Sequence, residues 1–98
     1  MKKRAIERYL ANKVKQLGGK SFKFVSPGNA GVPDRIVIIP GGHIFFIELK
    51  APGKKPRKLQ QVVIKQLKQL GCNVLTIDSK EQVNRFIDEA KIMLEVFR

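Results

Sequence analysis

Two carboxylates and a lysine lie at the outer ends of two apolar segments that are neighbours in the chain. Asp34 precedes the run 36–39, and Glu48 and Lys50 follow the run 44–47. Side chains of a β-strand alternate between its faces, so Glu48 and Lys50 leave the same face. Paired carboxylates can hold a divalent cation, and a lysine beside them can hold or deprotonate a water that attacks a phosphate group. The spacing therefore indicates a metal-dependent hydrolytic site.

The turn between the two apolar runs decides whether the carboxylates meet. Residues 40–42 read Pro-Gly-Gly. A two-residue loop made by the glycines would place Asp34 and Glu48 on opposite faces of the sheet. A three-residue loop, with proline first and the second glycine left-handed, pairs Ile39 with His43 and so Asp34 with Glu48. Cβ atoms of such pairs lie roughly 4.5–5.5 Å apart, so the carboxylates would repel unless a cation or proton lies between them.

In this chain Pro33-Asp34 is followed by a hairpin and then by Glu48-Leu49-Lys50. This arrangement resembles the active-site motif of the PD-(D/E)XK nuclease superfamily. The segment 31–34, with Leu59-Gln60 and Gly71 further along, is similar to the virus-type replication-repair nuclease (VRR-NUC) branch of that superfamily. Glu-x-Lys alone is a weak signal because it occurs by chance in many strands and helices. The combination is far more specific, and it covers nearly the whole chain.

The resemblance implies metal-dependent cleavage of DNA phosphodiesters, often in branched or structured DNA, by stand-alone phage and bacterial proteins. The positions that match its active-site residues are Glu7, Asp34, Glu48, Lys50 and Gln60. The two paired carboxylates and the carbonyl of Leu49 would hold Mg²⁺ or Mn²⁺, with Glu7 as a further ligand. Lys50 would position the water for in-line attack, and Gln60 would orient water or phosphate.

Glu7 and Gln60 also have ordinary interpretations. Glu7 borders the apolar stripe of the first helix, where it could instead pair with basic residues of that helix. Gln60 lies in the first turn of the second helix, a common position for a surface glutamine. The only histidine, His43, lies at the hairpin turn, roughly 10 Å or more from the carboxylates, and we assign it no catalytic role.

The net charge points to a polyanionic partner. The 98 residues carry 20 Lys and Arg against 8 Asp and Glu, a formal charge of +12, and nucleic acid is the leading candidate. The residues expected to contact DNA, in the loops on either side of the hairpin, are Lys54, Lys55, Arg57, Lys58, Gly28 and Asn29. A non-catalytic DNA-binding module would explain the charge equally well but leaves the paired carboxylates repelling DNA, and composition does not separate DNA from RNA.

The chain offers no other class of site. No hydrophobic segment approaches 18 residues and no signal-peptide core follows the first four residues, so we expect a cytoplasmic protein with no membrane partner. The family resemblance implies that the cell is bacterial or infected by a phage. The single cysteine, Cys72, cannot form an internal disulfide. No change in composition marks a boundary, and residues 1–98 are interpreted as one nuclease domain.

The periodicities predict an α/β, restriction-endonuclease-like fold in the order αβββαβα, with a central mixed sheet flanked by helices. The core stripes of the first and second helices are predicted as Ile6, Leu10, Val14 and Leu17, then Leu59, Val63, Leu67 and Leu70. That of the last helix is predicted as Val83, Phe86, Ile87, Ala90, Leu94 and Phe97. A second apolar strip on this helix, Ile92 and Val96 with Met93 at its border, suggests a homodimer that presents two sites to two DNA strands.

Overall fold

The computed structural model describes residues 2–96 as one mixed sheet with three helices. Its elements are α1 (Lys3–Gln16), β1 (Lys20–Lys23), β2 (Arg35–Ile39), β3 (His43–Leu49), α2 (Lys58–Gln69), β4 (Asn73–Ile77) and α3 (Lys80–Val96). The predicted order αβββαβα is confirmed. Within the described residues, no helix is both long and apolar enough to cross a membrane.

The strands lie in sequence order, β1-β2-β3-β4. The first three are antiparallel, and β4 is parallel to β3 because the chain crosses over through α2. Ile39 pairs with His43, as the three-residue loop requires. Gly42 N–H donates to the Ile39 carbonyl at 3.1 Å. Gly41 and Gly42 have φ of 94° and 79°, a conformation that glycine adopts without a steric penalty.

One face of the sheet is closed by α1 and α3. The predicted spacing in α1 holds, since Ile6, Leu10 and Val14 are fully buried. They belong to one core cluster with Val37 of β2 and Ile47 of β3. From α3 the cluster takes Val83, Phe86, Ile87 and Ala90, with Leu94 packed against it. Phe97, also assigned to that stripe, lies outside the described residues.

The opposite face is covered less completely than the apolar runs suggested. An all-apolar run such as 44–47 predicts a strand that is buried on both faces, and this prediction is wrong at Ile44, which is 45% exposed. Leu59 in the first turn of α2 is 52% exposed, Leu70 just after its last residue is 80% exposed, and Ile64 is the buried residue of the helix. The predicted stripe was therefore wrong at its two ends. Because α2 lies along β4 at the edge of the sheet, its buried face is narrow and is displaced from the stripe that sequence spacing suggests.

Candidate active site

The hairpin places Asp34 and Glu48 at the same end of β2 and β3. The ladder ends with Arg35 opposite Ile47, and its register continued by one residue sets Asp34 opposite Glu48. The Leu49 N–H donates to Asp34 Oδ2 at 3.0 Å, so the carboxylate itself replaces a backbone acceptor at the end of the ladder. The backbone geometry that the turn predicted thus brings the two carboxylates together.

Glu48 is the buried carboxylate of the site, with 0% of the residue exposed. Its Oε2 accepts hydrogen bonds from Lys50 Nζ at 3.0 Å and from Gln60 Nε2 at 2.9 Å. Its Oε1 is buried and has no hydrogen-bonding partner among residues 2–96. A buried oxygen without a partner is costly, because it has lost water and gained nothing in exchange. A divalent cation that is coordinated by this orphaned oxygen would supply the missing partner.

Burial raises the pKa of the Glu48 carboxyl above its ordinary value of 4.5, because the ionised form loses hydration. The hydrogen bond from Lys50 acts in the opposite direction, and the negative charge of Asp34 adds to the upward shift. The net effect is a raised pKa of Glu48, so without a further cation ionisation of Glu48 beside Asp34 is disfavoured. A divalent ion would reverse that preference.

Gln60 joins the start of α2 to the buried carboxylate. Its side-chain oxygen accepts the Arg57 backbone N–H at 2.9 Å, which is the reciprocal half of a capping box, while its amide nitrogen donates to Glu48. One side chain therefore satisfies an otherwise unpaired helix-start N–H and fixes the orientation of Glu48. This contact connects the start of α2 to the candidate site.

Glu7 lies on the other side of Asp34. Its Oε2 is 3.8 Å from the Arg35 guanidinium, and its side chain is 37% exposed. Within residues 2–96, no three His, Cys, Asp or Glu side chains are grouped so that they could hold a metal ion. The structure thus brings Asp34, Glu48, Lys50 and Gln60 together and leaves Glu7 at the border, paired with an arginine.

The backbone carbonyl of Leu49 has a structural reason to be available. Continuing the register sets Leu49 opposite Pro33, and proline has no N–H to donate. In an extended strand the N–H and C=O of one residue point to the same side. Since the Leu49 N–H points at Asp34, its carbonyl is directed to the same gap. Two carboxylates and a carbonyl, completed by waters and substrate phosphate, fit the oxygen ligands that Mg²⁺ takes.

Lys3 was not recognised as a site residue from the sequence. Its Nζ lies 3.1 Å from Asp34 Oδ2, so the first turn of α1 contributes a cation to the carboxylate pair. A signal was present, because Lys3 and Arg4 lie at the helix start, where the helix dipole disfavours positive charge. Residues that break such a local rule often serve a site.

The loops expected to contact DNA lie beside these residues. Gly53 N–H donates to Asp78 Oδ2 at 3.2 Å, which ties the basic loop to the end of β4. Its cations Lys54, Lys55, Arg57 and Lys58 are exposed, and none forms an ion pair among the described residues. In the other loop, Asn29 is held by Ser26 through two hydrogen bonds, and Gly28 is exposed.

Gly31 fixes the second of these loops against α2. Its φ is 92°, and a Cβ added there would lie 3.0 Å from the Leu59 side chain and backbone oxygen. Only glycine allows this approach, which sets the 26–33 loop over the start of α2, one residue from Gln60.

Comparisons with known proteins agree with this architecture. No family model matches the chain. A protein of Acyrthosiphon pisum secondary endosymbiont phage 1 named "Putative nuclease p44" is 47% identical over 77 residues, which is 79% of this chain and 83% of the phage protein. A solved structure described as a VRR_NUC domain superposes with a TM-score of 0.83 at 31% identity, covering 88% of this chain and 94% of that one.

Proposed function

We propose, on the ground that this chain belongs to the VRR-NUC family of nucleases, that it is a divalent-metal-dependent endonuclease acting on structured DNA, such as four-way junctions. The observation that carries the metal dependence is Glu48 Oε1, which is buried and has no hydrogen-bonding partner in the described part of the chain, on a carboxyl group that also experiences the charge of Asp34. Asp34, Glu48 and the Leu49 carbonyl would hold Mg²⁺ or Mn²⁺, and Glu7, which lines the same cavity as Asp34, would contribute through a water.

Bound there, Mg²⁺ would supply Lewis-acid stabilisation of phosphate charge and a water of lowered pKa. The protein holds the ligands in place beforehand, because Glu48 Oε2 is fixed by two donors and Asp34 by the Leu49 N–H. Lys50 Nζ lies 3.0 Å from Glu48 Oε2, and 14% of the Lys50 side chain is exposed. The ammonium group therefore lies beside a proposed metal ligand and also at the opening of the site. From there it can donate to the attacking water and offset negative charge that develops on the phosphate.

The charge distribution supports a nucleic-acid substrate. The unpaired cations of the 51–58 loop follow Lys50 directly in the chain, so a phosphate backbone that meets them also lies over the carboxylates. A DNA-binding module without activity would have no use for a buried carboxylate that has an orphaned oxygen. The loop therefore supplies affinity and the two carboxylates supply the chemistry.

The test is a cleavage assay with end-labelled substrates. Duplex, forked, flapped and four-way-junction DNA and a structured RNA are incubated with Mg²⁺, Mn²⁺, Ca²⁺ or EDTA. Cleavage of branched DNA in Mg²⁺ or Mn²⁺, but not in EDTA, is the expected result. Binding without cleavage under every condition would favour a DNA-binding module, and selective cleavage of the RNA would identify a ribonuclease.

A two-fold assembly would suit a junction, because one site cuts one strand. Ile92 and Val96 are 62% and 68% exposed on α3, whereas Met93 packs against the core and does not extend the strip. We therefore propose a homodimer through Ile92 and Val96. Light scattering should give twice the chain mass, and Ile92→Glu with Val96→Glu should give monomers that lose paired incisions more than single nicks. A wild-type monomer that makes paired cuts would exclude this interface.

A further inference from the structure

A second cationic region lies beside Asp34, on the side away from the 51–58 loop. A cavity of about 500 Å³ opens there, between the start of α1 and the adjoining ends of β1 and β2. Its charged lining consists of Lys3, Arg4, Lys23 and Arg35 against Glu7 and Asp34. Three separate elements and the end of the β1–β2 connection contribute these side chains, so the charge is concentrated by the fold.

The ion pairs of the cavity leave two cations unmatched. Lys3 pairs with Asp34 at 3.1 Å, and Arg35 lies 3.8 Å from Glu7. Ser21 fixes Arg35 further, accepting from Nε at 3.0 Å and from Nη2 at 3.1 Å. The remaining two cations, Arg4 and Lys23, are exposed, and neither has an ion pair within residues 2–96.

An unmatched guanidinium and ammonium at one cavity mouth fit a phosphate group. Arginine presents a planar fork that binds phosphate oxygens in pairs, and lysine adds a point charge. Neighbouring strands lie about 4.8 Å apart, so β1 is roughly 5–7 Å from the gap between Asp34 and Glu48. A DNA strand carries one phosphate per about 3.4 Å of axis, and neighbouring phosphates lie further apart than this through space because the backbone winds around the axis, so the separation corresponds to about one or two nucleotides.

We propose that this cavity binds a backbone phosphate of DNA about one or two nucleotides from the scissile phosphate, with Arg4 and Lys23 as its ligands. The inference rests on the proposed function for the identity of the polyanion. The bound strand then crosses the carboxylates between two cationic regions. The cavity holds it on the β1 side, and the 51–58 loop holds it on the β4 side.

The experiment compares three double variants that each replace one Arg and one Lys by Gln. Arg4→Gln with Lys23→Gln removes the cavity cations, and Lys54→Gln with Arg57→Gln removes two loop cations. Arg85→Gln with Lys91→Gln removes the same charge from exposed positions on α3 and serves as the matched control. Circular dichroism checks that each variant is folded, as expected for replacements of exposed side chains.

Binding is measured by fluorescence anisotropy in EDTA, with junctions that carry one uncharged methylphosphonate at successive positions counted from the branch point. For the wild-type protein, a methylphosphonate on either flank of the site should weaken DNA binding several-fold. The cavity variant should lose the penalty on one flank only, and the loop variant on the other. The salt slope of the cavity variant should fall by about 1, while the α3 control keeps both penalties.

Other outcomes overturn the site. If the cavity variant keeps the wild-type pattern of penalties, or the α3 control changes it as much, the two cations are solvated surface charges. A wild-type protein without position-dependent penalties would also exclude the cavity. Because these measurements are made without metal, they stand apart from the cleavage assay. If the penalties change in the cavity variant as expected but no DNA is cleaved, the endonuclease proposal is refuted and the phosphate site is retained. If DNA is cleaved but the cavity variant keeps the wild-type penalties, the phosphate site is refuted and the endonuclease proposal is retained.

Discussion

The two faces of the sheet differ in what they bury. On the face that α1 and α3 cover, which we call the closed face, Leu10, Val37 and Ile47 have no exposed surface. On the other face, which we call the active-site face, Phe22 and Ile44 are 48% and 45% exposed, whereas Glu48 is completely buried. The closed face buries hydrocarbon, and the active-site face buries a carboxylate while two large apolar side chains elsewhere on it stay in contact with solvent.

The difference indicates which face stabilises the protein and which would carry the proposed chemistry. Burying apolar surface contributes about 25 cal/mol per Å², whereas burying an ionised carboxylate costs several kcal/mol unless it is well paired. Selection for stability alone would bury Phe22 and expose Glu48. The reverse arrangement is expected where binding or catalysis sets the requirement, since functional sites are where local rules are broken.

The largest expected effect comes from the buried carboxylate. Glu48→Gln keeps the size of the side chain but removes its charge, so cleavage under single-turnover conditions in Mg²⁺ should fall by at least about 10²–10³-fold. Asp34→Asn and Lys50→Ala should have effects of the same order. Glu89→Gln, at an exposed position of α3, should leave the rate unchanged. Near wild-type turnover in any of the first three would contradict the assignment of the site.

Substitutions on the closed face should lower the free energy of unfolding. Leu10→Ala removes a fully buried side chain and should lower the free energy of unfolding by about 2–5 kcal/mol in urea titrations. Leu70→Ala is the matched control, because Leu70 is 80% exposed, and it should change stability by less than about 0.5 kcal/mol. Similar losses in both variants would mean that α2 packs more closely than the structure shows.

The same contrast explains which features were predictable from the sequence. The element order, the hairpin register and the core stripe of α1 follow from local periodicity and turn chemistry, which tertiary packing did not override. The predicted α2 stripe failed at Leu59 and Leu70, because hydrophobic spacing does not reveal that this helix lies along one edge strand and leaves some of its apolar side chains exposed.

In the site, the residues that share one hairpin were predictable, and those that depend on packing between elements were not. Asp34 and Glu48 are paired by strand register, so the turn sequence alone predicts their proximity. Lys3 reaches Asp34 only through the angle at which α1 crosses the sheet, which sequence spacing does not encode. The pairing of Glu7 with Arg35 depends on the same crossing.

A smaller effect on metal affinity should follow from removing a hydrogen bond that orients Glu48 while keeping the charge of the active-site face. Gln60→Ala deletes the donor to Glu48 Oε2 and the acceptor for the Arg57 N–H. Partners that orient metal ligands are typically worth about 10–100-fold in metal affinity or activity. Mn²⁺ binding by calorimetry should weaken within that range, while Gln66→Ala, exposed on the same helix, should not change it. Unaltered Mn²⁺ affinity in Gln60→Ala would show that Gln60 only caps the helix.

The smallest expected effect is a dependence of stability on pH that the closed face cannot produce. Because burial raises the pKa of Glu48 above 4.5, the folded protein binds that proton more tightly than the unfolded chain does. As pH rises above 4.5, the unfolded chain releases the proton first, so the free energy of unfolding falls until the pKa of the folded state is passed.

In EDTA, wild type should therefore lose stability relative to Glu48→Gln over this interval, by about 1.4 kcal/mol for each tenfold difference in proton affinity. Urea titrations of both proteins across the interval measure the difference, with Glu89→Gln expected to follow wild type. Adding Mg²⁺ at neutral pH should stabilise wild type and leave Glu48→Gln nearly unchanged, because only an ionised carboxylate gains from the cation. A difference between the two proteins that is constant with pH would mean that Glu48 is ionised in the folded protein as readily as in the unfolded chain.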